Sequence, residues 1–192
     1  MRYVSTRGSA PVLEFGDALL AGLADDGGLY VPETWPQLGP AGNGDYCATA
    51  VEVMAPFVGD AMTPDELAAM VAESYAAFDS PEVTPLVDLG DGLHLLELFR
   101  GPTLAFKDVA LQVVGRLFDH ELTRRGEKVT IVGATSGDTG SAAIEACRDR
   151  DNIEIIILHP AGRVSEVQRR QMTTVDAANV HNVAVDGSFD DC

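Results

Sequence analysis

The most constraining feature of the sequence is a repeated alternation between apolar strands and helical segments in its second half. Three segments rich in isoleucine and valine have the length of strands, and segments with helical spacing of apolar residues lie between or before them. The strands are residues 128–132, 153–158 and 180–185, and the helices are residues 106–125, 139–148 and 165–172. Apolar strands that alternate with helices are typical of a parallel sheet covered on both faces. We therefore predict an α/β fold with an open, mostly parallel sheet and helices on both faces.

The first half of the chain has a different pattern, which predicts a small and mainly helical domain in residues 1–80. Its clearest helix start is a capping box in which Thr63 takes the N-cap position and Glu66 reaches back to it. A loop is predicted for residues 39–44. Residues 81–192 are the predicted α/β domain. About 110 residues are few for a doubly wound domain, so we expect this domain to be incomplete and the sequence to be the first part of a longer protein.

The charge balance disfavours nucleic acid as a partner. The sequence has 30 acidic and 13 basic residues and a formal net charge of −17, which repels phosphate. The N-terminal segment lacks an apolar stretch long enough for a signal or a membrane span. Three widely separated cysteines indicate neither a disulfide framework nor a zinc site. We therefore predict a cytoplasmic protein with a small-molecule substrate and with no nucleic-acid, membrane or metal partner.

One lysine has unusual neighbours for a surface residue. Lys107 is one of two lysines in the chain, and it lies between Phe106 and the apolar run that begins at Val109. A lysine amine can lose its proton and attack a carbonyl, which an arginine cannot do. Lys107 is therefore a candidate Schiff-base lysine. On spacing alone, an amphipathic side chain that reaches solvent from a helix start is the favoured interpretation.

A second candidate site is the loop of glycine, serine and threonine at residues 133–141. It follows a predicted strand and opens a helix, so its N–H groups and the helix N-terminus favour an anion. It has no lysine for a P-loop, and its glycines lack the spacing of a dinucleotide fingerprint. A carboxylate or phosphate site for a small ligand remains. The alternative is a connecting turn with Asp138 or Thr139 as the helix N-cap.

Together, the two motifs resemble those of the threonine synthase family of pyridoxal-phosphate (PLP) enzymes. Residues 101–108 read Gly-Pro-Thr-Leu-Ala-Phe-Lys-Asp, and residues 134–142 read Ala-Thr-Ser-Gly-Asp-Thr-Gly-Ser-Ala. The similarity extends over nearly all the chain, and the further similar segments are residues 3–8, 26–32, 171–174 and 185–192. The resemblance implies the tryptophan-synthase-β-like fold, which is PLP fold type II.

The resemblance also implies an activity for the complete enzyme, the conversion of O-phospho-L-homoserine and water into L-threonine and phosphate. Lys107 would be the catalytic residue, which forms a Schiff base with PLP and moves protons at the α and β carbons. The implied substrate-binding residues are Ser136, Gly137, Asp138, Thr139 and Arg163. The loop residues would hold the carboxylate and Arg163 the phosphate. Asp138 is also the implied cofactor-binding residue near the 3-hydroxyl of PLP.

Other functions remain open at this point. Another lyase of the same fold, such as a threonine or serine dehydratase, shares the lysine motif. A catalytically silent relative that binds a phosphorylated amino acid is an alternative from another functional class, that of binding proteins. Arg163 could instead be a surface residue near a helix start. In this family the loop that grips the PLP phosphate lies further along the sequence, so we expect these 192 residues alone to bind PLP poorly.

Overall fold

The structure is a computed structural model that describes residues 1–39, 42 and 44–192. The loop predicted for residues 39–44 therefore lies partly outside the described residues. The chain divides into two compact units, Met1–Glu73 and Ser74–Cys192, and each is described by itself.

The first unit is mainly helical and also contains a small antiparallel sheet. Its helices are α1 (Phe15–Ala21), α2 (Tyr46–Val58) and the start of α3 (Pro64–Tyr75), with a 3-10 turn at Gly59–Ala61. The strands are β1 (Arg2–Ser5), β2 (Leu13–Glu14) and β3 (Tyr30–Pro32), in the order β2-β1-β3. The predicted capping box is confirmed, because the Thr63 N–H donates to Glu66 Oε2 at 2.7 Å and the Glu66 N–H donates to Thr63 Oγ1 at 3.3 Å.

One carboxylate organises the turns around this small sheet. Asp26 Oδ1 accepts hydrogen bonds from the Ser5 hydroxyl at 2.6 Å and from the Gly28 N–H at 2.9 Å. Its other oxygen, Oδ2, accepts from the N–H groups of Ser9 and Ala10 at 2.9 and 3.0 Å. The Ser5 hydroxyl and these backbone donors stabilise the ionised form and lower the pKa of Asp26 to about 2.

The hydrogen bonds of Asp26 predict an acid-dependent part of the stability. A carboxyl group with a depressed pKa stabilises the folded state above its unfolded pKa of about 3.9, and this contribution is lost as pH falls toward about 2. In Asp26→Asn we expect a lower urea midpoint at pH 7 and a smaller loss of midpoint between about pH 4 and pH 2 than in the unsubstituted protein. Urea unfolding followed by circular dichroism at each pH measures both. An equal loss of urea midpoint in the two proteins over this pH range would contradict a depressed pKa for Asp26.

The second unit contains a β-hairpin followed by a parallel α/β sheet. The hairpin consists of β4 (Leu86–Gly90) and β5 (Leu93–Leu96). The rest comprises α4 (Asp108–Arg125), β6 (Val129–Ala134), α5 (Asp138–Cys147), β7 (Ile153–Pro160), α6 (Glu166–Thr173) and β8 (Val180–Val185). Strands β6, β7 and β8 are parallel and adjacent in that order. The predicted parallel α/β architecture is confirmed.

The two faces of the parallel sheet differ in burial. On β7, Ile153, Ile155 and Ile157 are buried, and α5 packs against this strand. On the opposite face, Val132 of β6 is 65% exposed and Val183 of β8 is 44% exposed. In a parallel sheet all carboxyl ends meet at one edge, so the segments after β6 and β7 lie at the same edge.

Helices α4 and α5 approach each other at Gly115. A Cβ atom at this position would overlap the carbonyl oxygen of Ala146 and would lie 3.0 Å from its carbonyl carbon. The buried face of α4 includes Val113, Leu117 and Leu122. Gly126 ends the helix in the left-handed conformation at φ 67°, as its position after the apolar run predicts.

The described helices do not have the character of membrane spans. None of them, in residues 1–39, 42 and 44–192, is both long enough and apolar enough to cross a bilayer. The longest, α4, has 18 residues and includes Arg116, Arg124 and Arg125.

Candidate active site

Lys107 stands at the end of a loop that a buried carboxylate holds in shape. Asp108, the first residue of α4, is completely buried and accepts hydrogen bonds from the Thr103 N–H at 2.8 Å and the Thr103 hydroxyl at 2.7 Å. Burial raises the pKa of Asp108, while the bonds from Thr103 act in the opposite direction. Leu104 adopts a positive φ of 63° within the same loop. Because Lys107 directly precedes Asp108, these contacts fix where its side chain begins.

The Lys107 ammonium group lies between an aromatic ring and a carboxylate. Its Nζ is 4.5 Å from the centroid of the Phe106 ring and 3.8 Å from Asp138 Oδ2. The Lys107 side chain is 25% exposed, but Phe106 is 60% exposed. The Phe106 ring is therefore itself largely in solvent, and its face makes a cation–π contact with the ammonium group.

The loop between β6 and α5 is held by the hydroxyl of Thr135. This buried oxygen accepts hydrogen bonds from the N–H groups of Gly137 at 3.0 Å and Gly140 at 2.8 Å. Gly137 is the N-cap of α5 and has φ 148°, which favours glycine. The alternative that Asp138 or Thr139 caps the helix was therefore wrong. Sequence reasoning did not single out Thr135, although threonine commonly bonds to a backbone N–H two residues on.

The loop leaves three N–H groups for a ligand. Ser136, Asp138 and Thr139 are exposed, and the described part of the chain supplies no acceptor for their N–H groups. Asp138 and Thr139 are the first residues of α5, where N–H groups have no partner within the helix. Gly137 differs from them, because it is buried and its N–H donates to Thr135. The exposed N–H groups and the helix N-terminus together suit an anionic group.

Arg163 lies in the turn after β7, at the same edge of the sheet as the β6–α5 loop. Its N–H donates to the Pro160 carbonyl at 3.2 Å, and Gly162 before it has a φ of 67°. The side chain is exposed, and no carboxylate of the described residues lies within 4.0 Å of its guanidinium group. The structure thus brings Lys107 and Asp138 together and places Arg163 in a separate turn, available to an anion.

The site contains two glutamine side chains that sequence reasoning did not include. Gln168 Nε2 donates a hydrogen bond to Asp138 Oδ1, and Gln171 Nε2 donates to the Thr103 carbonyl oxygen at 3.0 Å. Both glutamines belong to α6. Ser165 is the N-cap of this helix, and its Oγ accepts a hydrogen bond from the Gln168 N–H at 3.3 Å.

The residues at this edge fit the reactive end of PLP, the cofactor that the resemblance implies. A primary amine must be accessible to react with an aldehyde. Lys107 is partly exposed, and its ion-pair partner, Asp138 Oδ2, lies 3.8 Å from Nζ, beyond hydrogen-bond distance. The chain therefore supplies an accessible amine and, on the neighbouring loop, free donors for an anion.

Comparison with known families gives two matches that together cover most of the chain. Residues 2–75 match the model described as "Threonine synthase N terminus", and residues 78–192 match the one described as "Pyridoxal-phosphate dependent enzyme". The second match covers more than half of the 192 residues.

Individual relatives agree with these matches. Threonine synthase of Pseudomonas aeruginosa is 55% identical over 197 residues, which span 100% of this chain and 42% of that protein. A crystal structure of PLP-bound threonine synthase from Brucella melitensis matches with a TM-score of 0.96 and 54% identity, over 100% of this chain and 42% of that one. Threonine synthase from yeast matches with a TM-score of 0.94 and 44% identity, over 100% of this chain and 42% of that one.

The chain thus spans less than half the length of these relatives. Its resemblance to the N-terminal part of threonine synthases is confirmed over all of its residues. The chain belongs to the family of pyridoxal-phosphate dependent enzymes.

Proposed function

We propose that this chain is the N-terminal part of a threonine synthase, which converts O-phospho-L-homoserine and water into L-threonine and phosphate with PLP as its cofactor. The observation that carries the proposal is the pairing of Lys107 with Asp138, each at the start of a helix, with free backbone donors in the loop that contains Asp138. The relatives named threonine synthase, and the PLP-bound structure among them, support it.

Lys107 is proposed to be the catalytic residue that bonds to PLP and moves protons at the substrate. When bound, PLP acts as an electron sink for negative charge at the substrate Cα, which permits loss of the γ-phosphate and addition of water at Cβ. The Lys107 amine accepts the proton from Cα. The carboxylate of Asp138 and the ring of Phe106 stabilise the ammonium group that results, since both attract a cation.

The substrate is proposed to be held at its two anionic ends. The N–H groups of Ser136, Asp138 and Thr139 bind its carboxylate, and Gly137 provides the turn that directs them outward. Arg163 binds the phosphate, because its exposed guanidinium group has no carboxylate of the described chain to neutralise it. Asp138 is also proposed to approach the 3-hydroxyl of PLP. All of these proposed contacts are to small molecules, the substrate and PLP. We also propose that the protein is cytoplasmic.

The proposal is tested on the full-length protein with O-phospho-L-homoserine. We expect phosphate release and L-threonine formation in equal amounts, and borohydride reduction of the PLP-loaded protein should label the peptide that contains Lys107. Phosphate release is measured colorimetrically and threonine by chromatography. A label on another lysine would contradict the assignment of Lys107.

The two alternatives give different outcomes in the same assay. A dehydratase of this fold would turn over L-serine or L-threonine and leave O-phospho-L-homoserine unchanged. A silent relative would bind O-phospho-L-homoserine without releasing phosphate, and its affinity would survive Lys107→Ala. Either outcome would overturn the proposed activity.

A further inference from the structure

Helix α6 contacts both loops of the candidate site through two glutamine side chains. Gln168 reaches Asp138 in the β6–α5 loop, and Gln171 reaches Thr103 in the loop before Lys107. We propose that Gln168 and Gln171 are positioning residues that hold the Asp138 carboxylate and the Lys107 loop in place relative to each other. This inference rests on the proposed function.

Gln168 determines how the Asp138 carboxylate is turned. Its amide nitrogen donates to Oδ1 of Asp138, while Oδ2 of the same carboxylate lies 3.8 Å from Lys107 Nζ. The Asp138 side chain is 52% exposed, so it is not held by burial. An exposed carboxylate without such a donor is free to rotate toward water. The contact between Asp138 and Lys107 therefore depends on the Gln168 amide.

Ser165 fixes the orientation of that amide. Its hydroxyl donates to Gln168 Oε1 at 2.8 Å, which leaves Nε2, the donor end, directed at Asp138. An amide turned the other way would place its oxygen against the Asp138 carboxylate, which only accepts hydrogen bonds, and would lose the bond to Asp138. Ser165 thus acts on Asp138 through Gln168.

The backbone of the β6–α5 loop is shaped to receive the same amide. A Cβ atom on Gly137 would overlap Gln168 Oε1 and would lie 2.5 Å from Gln168 Cδ. Gly137 therefore allows the amide to lie directly on the loop. The Gln168 side chain contacts both the backbone of the loop and its charged residue.

Gln171 completes the set of contacts on the loop before Lys107. It donates to the Thr103 carbonyl, and Asp108 accepts from both the N–H and the hydroxyl of the same threonine. All three polar groups of Thr103 are thus bound, and the residue is 9% exposed. Two hydrogen bonds thus join Thr103 to α4, and one joins it to α6, the helix whose Gln168 contacts Asp138.

The decisive variant is Gln168→Glu in the full-length protein. It keeps the shape of the side chain but replaces the amide donor with a carboxylate. This carboxylate would face Asp138 of α5, whose other oxygen faces Lys107. We expect kcat to fall about tenfold at pH 8, as for loss of a hydrogen bond to a charged group, with KM for O-phospho-L-homoserine changed less. Lowering the pH should restore part of kcat as the introduced carboxyl group takes up a proton.

A matched control distinguishes loss of the Gln168–Asp138 hydrogen bond from the effect of adding a negative charge to α6. Val167 is on the same helix and is 67% exposed, so Val167→Glu adds the same charge without facing Asp138 and should leave kcat and its pH profile unchanged. A kcat pH profile in Gln168→Glu that equals that of Val167→Glu would overturn the role of Gln168.

Amide hydrogen exchange provides a readout that does not depend on activity. Without substrate, Gln168→Glu should speed exchange in residues 135–140, and Gln171→Met should speed it in residues 101–107, each about tenfold relative to Val167→Glu. Unchanged exchange in both variants would overturn the inference. If the unsubstituted protein released no phosphate, the proposed function would fail while the exchange measurement still tested the two glutamines.

Discussion

Lys107→Arg in the full-length protein is expected to lower kcat for phosphate release by at least about 10³-fold. Positioned proton transfer alone contributes about 10²–10⁴-fold, and the bond to PLP is lost as well. Arginine keeps a positive charge beside Asp138 and over the Phe106 ring, the two groups that contact Lys107 Nζ. It cannot lose its proton at neutral pH. The substitution therefore removes the reactivity of the amine and preserves its charge, and steady-state kinetics measures the result.

The other lysine of the chain is the control for this prediction. Lys128 is exposed and precedes β6, so Lys128→Arg should leave kcat within about twofold of the unsubstituted value. Borohydride should label Lys128→Arg as it labels the unsubstituted protein and should not label Lys107→Arg. Retention of more than a tenth of the activity in Lys107→Arg would show that charge, and not an amine, is required at this position.

Gly115→Val is expected to destabilise the protein by about 3 kcal/mol, the upper part of the usual range for overpacking. Any Cβ at residue 115 overlaps the carbonyl oxygen of Ala146, a backbone atom of α5 that cannot turn aside as a side chain can. Helix propensity alone predicts the opposite sign, since valine is a better helix former than glycine. Denaturant unfolding of the full-length protein measures the change.

The same substitution should also lower activity at temperatures where the protein is folded. Lys107 directly precedes α4 and Asp138 begins α5, so a wider gap between the helices moves the two side chains apart. Ala110→Val is the matched control, because Ala110 is an exposed residue of α4 and should cost about 0.5 kcal/mol. A Gly115→Val protein as stable as Ala110→Val would contradict the close approach of the helices.

The parts of the fold that follow from local pattern were predictable. Strand β8 has the bounds that its apolar run predicts, and Gly126 ends α4 where the helical spacing stops. The sequence predicts a strand over residues 93–99, where β5 lies, but β4 and its pairing with β5 in a hairpin were not predicted. Its signal was present, since Asp91 and Gly92 both have positive φ, as a two-residue hairpin turn requires. The exposure of its leucines, 63% for Leu86, could not be read from the sequence because it depends on which elements pack nearby.

The candidate site was predictable to the extent that its chemistry is local. Lys107 and the loop before α5 can be identified from the sequence, because a reactive amine and a set of backbone donors are each provided by a few consecutive residues. Gln168 could not be found in this way, because its partner Asp138 is 30 residues away and the two meet only in the folded chain. The exposure of Phe106 could not be found either, since adjacency in sequence to an apolar run does not determine which side of the helix start faces solvent.

The bond pattern of Thr135 has a consequence for the thermodynamics of ligand binding. Its hydroxyl holds the N–H groups of Gly137 and Gly140, so the loop has its turn before any ligand is present. The conformational entropy of these residues is lost once, when the chain folds, and is not lost again on association. An anion that meets the N–H groups of Ser136, Asp138 and Thr139 therefore binds a pre-formed turn, and its affinity is not reduced by the entropy of ordering that turn.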